Sequence, residues 1–290
     1  MRALASLLVG VSLLASTASA GVIVGADNGS STHVKVFAGT TNTEIASFFA
    51  YPGAAPDGVR VAGGDVNGDS ISDVITGVAG AGQGHVKVFD GASGAELRSF
   101  FAYAGGTPNG VYVGAGRINA DAAFDIITGV DAGPASHVKA FDGATGAEIR
   151  SFFAYPPAFL GGVRVAGGDV NGDGFDDIVT GAGNGGSGHV KVFDGVTGAE
   201  VRSFLAFGGG YSGGVFVAAG DVNDDGLAEI VTGADEGFGP TVHVYDGASG
   251  LILASTTAYA PAFTGGVRVA VGDVDGDGAW RSSPDPATAV

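Results

Sequence analysis

Loops rich in aspartate, asparagine and glycine recur along this sequence and hold the residues best suited to chemistry. One loop, DVNGDGFDD, runs from Asp169 to Asp177 and places oxygen side chains at Asp169, Asn171, Asp173 and Asp177, with the backbone carbonyl of Phe175 between them. Calcium takes about six to eight hard oxygen ligands, and alternate residues of a tight turn can supply them where glycine relieves the bend. This spacing therefore predicts a calcium site.

Two further loops keep the complete spacing, and two others depart from it. The complete loops offer Asp65, Asn67, Asp69, the Ile71 carbonyl and Asp73, and Asp221, Asn223, Asp225, the Leu227 carbonyl and Glu229. A fourth loop keeps Asp273, Asp275 and Asp277 but has Arg281 in the last ligand position, so we expect a weak or absent site there. In the remaining copy Arg117 replaces the first aspartate. We expect its guanidinium to pair with Asp121 and Asp125 in place of an ion.

The alternative is that aspartate, asparagine and glycine only form hairpin turns in these loops. Three complete copies of one ligand spacing favour calcium over that interpretation, although a single loop would not. The loops lack the final bidentate glutamate and the flanking helices of an EF-hand, so that fold is not predicted.

The acidic loops belong to a unit that repeats every 52 residues. One copy, from Gly162 to Phe207, contains four short segments rich in Val, Ile and Phe, GVRVAGGDV, DIVTGA, HVKVFDG and EVRSFLAF, which Gly or Asp turns separate. Such segments predict β-strands, and four antiparallel strands per unit are typical of a propeller blade. We therefore predict an all-β fold, a β-propeller of about five units.

Other recurring residues are interpreted first as structural. The His-Val-Lys segments at His33, His85, His137 and His189 recur in each unit, whereas a reaction centre is normally unique. The first phenylalanine of each Phe-Phe pair is predicted to lie in the core between blades, at Phe48, Phe100 and Phe152.

Positions that break the repeat are better functional candidates. Tyr112 and Phe216 stand where other units have Arg60, Arg164 and Arg268. For the aromatic residues of the variable loops, Phe159, Tyr211 and Phe263, we predict loop packing rather than ligand contact. The acidic pair Asp235 and Glu236 is predicted to form a solvated turn, because adjacent residues point apart on a strand.

The array starts and stops within a unit. Residues from Gly21 match the second strand of a unit, and Gly266 to Gly278 supply a first strand with its acidic loop. We predict that the propeller covers residues 21–278 and closes as a five-bladed ring, with the C-terminal strand completing the first blade. Because residues 279–290 abandon the repeat, the alternative is a truncated or frameshifted longer array, such as one of seven blades.

The N-terminus predicts an exported protein. Arg2, the apolar run from Ala3 to Leu14 and the small residues Ala18 to Ala20 form the pattern of a secretory signal peptide over residues 1–20. Cleavage near Ala20 would deliver the protein to the periplasm or the extracellular space. No later segment is predicted to span a membrane, and without cysteine the chain cannot be stabilised by disulfides.

Composition excludes two classes of partner. The chain has 30 acidic residues against 13 basic ones and a formal charge of −17. Such a surface repels phosphate groups, so nucleic acids and anionic membranes are poor partners.

The unit GGVRVAGGDVNGDGFDDIVTGAG resembles the FG-GAP repeat, the blade of the integrin alpha-chain N-terminal propeller and of VCBS-type secreted bacterial proteins. Gly161-Gly162 stand where the family has Phe-Gly, and the stretch from Thr180 to Gly183 stands where it has Gly-Ala-Pro. The resemblance covers Gly21 to Gly278. It implies a propeller, usually seven-bladed, with calcium in the hairpin loops of one face and a role in binding or adhesion.

These features together predict a noncatalytic binding or adhesion module for an extracellular protein or glycan, and they leave the oligomeric state open. A propeller lectin is one alternative and would show one equivalent sugar pocket per blade. A propeller hydrolase or lyase is another and would show a unique cluster of catalytic side chains.

Overall fold

The computed structural model describes residues 9–14, 21–26, 31–39, 41–53, 58–80, 83–103, 109–133, 135–273 and 281–283. These residues form strands, turns and loops without a helix, and they contain five four-stranded antiparallel sheets and one two-stranded sheet. The four-stranded sheets are the blades of a β-propeller, which confirms the predicted fold class.

Each blade uses its strands in sequence order, from the propeller axis outwards. Blade 1 contains β1 (Val9–Leu14), β2 (Gly21–Ala26), β3 (His33–Ala38) and β4 (Thr43–Phe49), and blade 2 contains β5 (Val59–Gly64), β6 (Asp73–Val78), β7 (His85–Phe89) and β8 (Glu96–Phe101). Blade 3 contains β9 (Val111–Gly116), β10 (Asp125–Val130), β11 (His137–Phe141) and β12 (Glu148–Phe153), and blade 4 contains β13 (Val163–Gly168), β14 (Asp177–Ala182), β15 (His189–Phe193) and β16 (Glu200–Leu205). Blade 5 contains β17 (Val215–Gly220), β18 (Glu229–Ala234), β19 (Thr241–Tyr245) and β20 (Ile252–Thr257), and β21 (Ala270–Gly272) and β22 (Arg281–Ser283) form the short sheet.

The hydrophobic core lies between the blades. The second strands of blades 2 to 5 are buried at every residue, because neighbouring blades cover both of their faces. A cluster between blades 3 and 4, for example, joins Ile127 and Val138 to Val163 and Ile178. The blades approach closely at one glycine of each second strand: a Cβ added to Gly181 would lie 2.5 Å from the carbonyl oxygen of Val215. This contact explains the glycine that recurs at this position of each second strand.

The recurring aromatic residues join consecutive blades, as predicted. Phe48 of blade 1 contacts Phe89 of blade 2 with ring centroids 4.8 Å apart, and Phe100 and Phe152 make the equivalent contacts with Phe141 and Phe193. The tyrosine that follows each pair is buried, and its hydroxyl bonds to the next blade. Tyr51 donates to a backbone carbonyl there, at either Thr76 or His85, each 3.0 Å away.

The predicted closure of the ring is wrong in one respect. The strand that completes blade 1 is β1, which pairs with β2 from Val9↔Ala26 to Leu14↔Gly21, whereas the C-terminal strand β21 pairs with β22. Pairing β1 with the strand that directly follows it closes a much shorter loop than pairing β2 with β21, so less chain entropy is lost. Strand β21 instead lies between β17 and β1, in a sixth position around the axis.

The predicted signal peptide and the C-terminal tail are only partly described. Strand β1 lies within residues 1–20, and the remainder of that segment, residues 1–8 and 15–20, lies outside the described residues, as do residues 274–280 and 284–290. In the part of the chain that is described, no helix has the length and apolar character needed to cross a membrane.

Candidate metal centre

The acidic loops all lie at one end of the propeller. Each loop connects the end of an inner strand to the start of the second strand, as between β13 and β14, and the strands run in the same order in every blade. Adjacent loops are also bonded to each other: the backbone N–H of Ala228 in blade 5 donates to the carbonyl of Asp169 in blade 4 at 2.7 Å. The predicted ligands of blades 2, 4 and 5 therefore lie on one acidic face of the propeller.

Within the loop of blade 4, the predicted ligand side chains order the backbone. The Asp169 carboxylate accepts hydrogen bonds from the backbone N–H groups of Gly172 and Gly174 at 2.7 and 2.9 Å. Asn171 and Asp173 each accept a bond from the N–H two residues later, at 2.9 Å. These bonds leave lone pairs on the same oxygens, because a carboxylate offers about four acceptor positions.

Two positions of each complete loop require a left-handed backbone. The φ angles are 79° at Gly172 and 89° at Gly174, and the equivalent residues of blade 5, Asp224 and Gly226, have φ of 62° and 89°. Glycine adopts this conformation without the steric cost that a Cβ adds. In blade 3 the same positions hold Ala120 and Ala122, and neither has a positive φ. The loop of blade 3 therefore has a different backbone shape.

The last ligand of each complete loop is buried. Asp177 is fully shielded from solvent and accepts bonds from the N–H groups of Val170, Asn171 and Gly195 at 3.0, 3.1 and 3.3 Å. Burial raises the pKa of Asp177 to about 7 and that of Asp73 to about 6, and it also raises the pKa of Glu229. A positive ion near these groups would favour their charged forms.

The structure adds a residue to the site that the sequence analysis did not include. The aspartate of the turn after the third strand lies beside each loop, and Asp194 accepts a bond from the Asn171 side chain at 3.1 Å. In blade 5, Asp225, Glu229 and Asp246 place carboxylate oxygens within 4.8 Å of one another, as Asp121, Asp125 and Asp142 do in blade 3. Among the described residues, these are the two groups of three carboxylates that approach one another this closely. The fixed spacing of the turn aspartates in every repeat was the signal available for finding them.

Comparison with protein families supports the resemblance drawn from the repeats. Residues 161–197 match the FG-GAP repeat. The match includes β13, the acidic loop, β14 and β15, so the FG-GAP unit of this chain contains the complete loop of blade 4.

The comparisons with solved structures show a similarity of fold alone. No curated protein matches the chain. Among solved structures, it is similar to one described as "Structure of U3-55K", with 13% sequence identity over 93% of this chain and 72% of that chain and a TM-score of 0.53. A protein of unknown function from Bacteroides caccae is similar with a TM-score of 0.48, at 13% identity over 80% of this chain and 72% of that one.

In blade 3, the Arg117 side chain has contacts that differ from the prediction. The Arg117 guanidinium lies 4.8 Å from the centre of the Phe124 ring, and the Arg117 backbone N–H donates to Asp176 of blade 4 at 2.8 Å. Among the described residues, no ion pair joins Arg117 to Asp121 or Asp125. The prediction of internal pairing is therefore wrong, because the guanidinium packs on an aromatic ring while Asp125 bonds to the backbone.

The fourth predicted loop is only partly visible. Asp273 is buried at its start, and the predicted ligands Asp275 and Asp277 lie outside the described residues. The expectation of a weak or absent site there stays a prediction.

The opposite end of the propeller holds the residues that break the repeat. Arginine and aromatic side chains alternate around the axis: the Arg60 guanidinium lies 3.7 Å from the Tyr112 ring centre, and Arg164 lies 4.6 Å from that of Phe216, with Arg268 on its far side. They line one end of an axial cavity of about 490 Å³ whose other end contains Asp169 and Asp221.

Asp235 is not the solvated residue that the sequence predicted. It forms a buried ion pair with Arg164, and Asp131 pairs with Arg60 at 2.6 Å, so the arginines of the axis are bonded to the turns of other blades. Glu236 is exposed, as expected. The error arose because the repeat pattern does not show that the turn after the second strand reaches the axis.

Each aromatic residue of the variable loops packs against another aromatic ring, as predicted. Tyr211 contacts Phe238, Phe159 contacts Tyr155 and Phe263 contacts Tyr259, with ring centres 4.9 to 5.5 Å apart.

Proposed function

We propose that this chain is a secreted, calcium-stabilised FG-GAP propeller that serves as a noncatalytic binding module for an extracellular protein or glycan. The observation that carries the proposal is the acidic face, on which three complete loops repeat one arrangement of oxygen side chains. Binding is a common use of rigid propellers, whose loops vary while the blades stay fixed.

Calcium fits the donor set of these loops. All the candidate ligands are oxygens, which hard cations prefer, and the set contains neither the imidazole nor the thiolate ligands that favour zinc. In blade 4 the ion would be held by Asp169, Asn171, Asp173 and Asp177, with the Phe175 carbonyl; blades 2 and 5 offer the equivalent residues. The ion would stabilise the charged form of buried carboxylates whose pKa is otherwise raised.

Export is supported by the sequence of residues 1–20. Cleavage near Ala20 would remove β1 and leave the inner edge of β2 without its partner. N-terminal sequencing of protein recovered from the medium or periplasm tests this part of the proposal, and an intact Met1 on all exported material would contradict it.

A noncatalytic role is supported by the charged groups at the axis. Arg60 and Arg164 pair with Asp131 and Asp235, an arrangement that joins blades. In a catalytic cluster, several side chains with a perturbed pKa would be expected to face one point in a cleft. Conversion of ester, glycoside or phosphoester probes by the purified protein would contradict this part.

Thermal unfolding tests the calcium proposal. The protein is freed of metal with a chelator and then titrated with calcium, alongside the variant Asp169→Ala/Asp173→Ala. Calcium at ten times the dissociation constant stabilises a native protein by about 1.4 kcal/mol per site, so three sites predict a large rise in Tm. The variant should lose the calcium-induced stabilisation that one site provides.

The matched control is Glu148→Ala/Glu200→Ala, which removes two carboxylates from the outer strands rather than from the loops. It should respond to calcium as the parent protein does. A cooperative melt that is indifferent to calcium would overturn the metal assignment and leave the acidic loops as turns.

A further inference from the structure

The outer strands of blades 1, 2 and 3 each expose a phenylalanine beside polar groups. Phe49, Phe101 and Phe153 are 56%, 57% and 55% exposed. Each lies on the same strand face as a serine two residues earlier and directly opposite a histidine of the third strand. We call each group of phenylalanine, histidine and serine a rim station.

The three rim stations have the same internal geometry. The histidine ring stacks on the phenylalanine with centroids 4.8 Å apart for His33 and Phe49, and 4.6 Å apart in blades 2 and 3. The histidine Nε2 lies 2.8 to 2.9 Å from the serine Oγ. Because histidine covers one face of the phenylalanine, the exposed surface of that ring is on its other face.

Neighbouring groups hold the stations of blades 2 and 3 in place. A buried tyrosine of the preceding blade contacts the histidine ring, with Tyr51 5.1 Å from His85 and Tyr103 5.3 Å from His137 between ring centres. The same tyrosine hydroxyl lies 2.9 to 3.0 Å from the histidine carbonyl oxygen. A platform fixed in this way loses little conformational entropy when it binds.

The charges at the stations are balanced. Lys35, Lys87 and Lys139 on the same strand face as the histidines each pair with a glutamate, at 2.5 to 2.7 Å. Burial lowers the pKa of His85 and His137, which favours the neutral imidazole. Each station thus combines the open face of an aromatic ring with a serine hydroxyl and an imidazole, in a protein of formal charge −17 that repels anions.

We propose that the rim stations of blades 1, 2 and 3 bind neutral carbohydrate, one pyranose ring to each phenylalanine. The negative face of an aromatic ring attracts the C–H groups on one face of a sugar, and the serine, lysine and glutamate beside it can bond to sugar hydroxyls. The inference deepens the proposed binding function by naming the ligand class. Three equivalent stations suit a polysaccharide, which presents the same ring repeatedly.

A protein partner or a second copy fits the stations less well. A stable protein interface buries about 800 Å² on each partner around a continuous apolar centre. Here single exposed rings are separated by a blade's width and bordered by ion pairs.

Blades 4 and 5 provide internal comparisons. Blade 4 keeps His189 and Ser203, bonded at 2.8 Å, but has Leu205 in place of the phenylalanine. Blade 5 has Thr241 and Thr257 in place of the histidine and phenylalanine. An aromatic face is therefore present in three of the five complete blades, and an aliphatic side chain of similar exposure, 46%, stands in the fourth.

Native gel electrophoresis tests the proposal, because this acidic protein migrates well at neutral pH. Gels contain no polysaccharide, a neutral β-glucan, galactomannan or xylan, or the anionic polysaccharide alginate. We expect at least one neutral polysaccharide to retard the protein while alginate does not. The variant Phe49→Leu/Phe101→Leu/Phe153→Leu keeps apolar exposure but removes the rings, and its apparent affinity should fall by at least about tenfold.

Two controls make the result specific. Leu251→Ala/Ile252→Ala/Leu253→Ala removes three exposed apolar side chains from blade 5 and should leave retardation unchanged. Leu205→Phe should complete a fourth station and increase it. All variants are compared by thermal melt, so that loss of folding is not mistaken for loss of binding.

Several outcomes would overturn the inference: no retardation by any neutral polysaccharide, retardation by alginate alone, or equal retardation of the leucine variant. Self-association in sedimentation experiments that the leucine variant retains and an alanine variant loses would identify the stations as a contact between copies instead. The failure of this inference is distinguishable from that of the proposed function. Absent retardation with a calcium-dependent melt rejects only the carbohydrate, and retardation with a calcium-indifferent melt rejects only the metal.

Discussion

Blades 3 and 4 have the same strands in the same register, yet their inner strands differ in charge at both ends. Tyr112 and Arg164 occupy one position, each opposite a glycine of the second strand, and Arg117 and Asp169 occupy the other. At the loop end, both blades keep a buried aspartate, Asp125 or Asp177, bonded to three backbone N–H groups. The buried aspartate and its hydrogen bonds are thus common to both blades, whereas the residues at the two ends of the inner strand differ in charge.

The two blades also compensate each other. Arg117 of blade 3 lies beside Asp176 of blade 4, to which its backbone donates, and Arg164 of blade 4 lies 5.4 Å from the Tyr112 ring of blade 3. Arg117 and Arg164 therefore interact with residues of adjacent blades rather than with acidic residues of their own repeat.

The largest expected difference between the two blades is at the axis. Arg164→Met would leave Asp235 buried without its partner and should lower the free energy of unfolding by about 3 kcal/mol, whereas Tyr112→Phe should change it little. Urea denaturation measures both. The double variant Arg164→Met/Asp235→Leu should recover much of the loss, and a double variant as unstable as the single one would show that Arg164 acts by packing alone.

The next largest effect, the loss of stability on removal of the buried aspartate, should be equal in the two blades. Asp177→Ala and Asp125→Ala each leave three N–H groups without an acceptor and should each destabilise the chelated protein by about 2 kcal/mol. Denaturation in chelator is the measurement. If Asp125→Ala were harmless there, the common structural role of these aspartates would be refuted.

A smaller effect is expected when the acidic loop of blade 4 is given the first residue of the blade 3 loop. Asp169→Arg gives blade 4 the first loop residue of blade 3 and should reduce calcium-induced stabilisation by about 1.4 kcal/mol at ten times the dissociation constant. Calcium-titrated melts measure it. The reverse variant, Arg117→Asp with Ala120→Gly and Ala122→Gly, should add a similar amount; an unchanged response in both would mean that the first residue does not contact the ion.

A further difference between the two blades concerns pH. The pKa of Asp177 is raised to about 7 and that of Asp125 to about 6, both by burial, so the folded protein holds these protons more tightly than the unfolded chain. Their stabilising contribution is complete below the ordinary carboxyl pKa of about 4 and is lost as the pH rises through 6 to 7. Without calcium, Asp177→Asn should abolish the part of this loss of stability that extends to about pH 7. Asp125→Asn should abolish only the part that extends to about pH 6. Denaturation curves from pH 4 to pH 8 test the order, and identical profiles would contradict it.

Much of the fold followed from local sequence features. The four segments of the unit around Gly162 became β13 to β16, because short β-branched runs between glycine and aspartate turns favour strands wherever they occur. The acidic loop of that unit was likewise readable from ligand spacing. The turn aspartates Asp194 and Asp246 were missed as neighbours of the loops, because residues more than 20 positions apart meet there through strand pairing.

By itself, the sequence determined the repeat, the all-β blades and the positions of the acidic loops, since periodicity, turn residues and ligand spacing are local properties. Only the tertiary structure decided which strand completes blade 1, where Arg117 and Asp235 find their partners, and which phenylalanines are buried. In the Phe-Phe pairs, Phe152 packs against blade 4 while Phe153 remains exposed. Adjacent residues of a strand face opposite sides, and only the packing of the blades determines which side is covered.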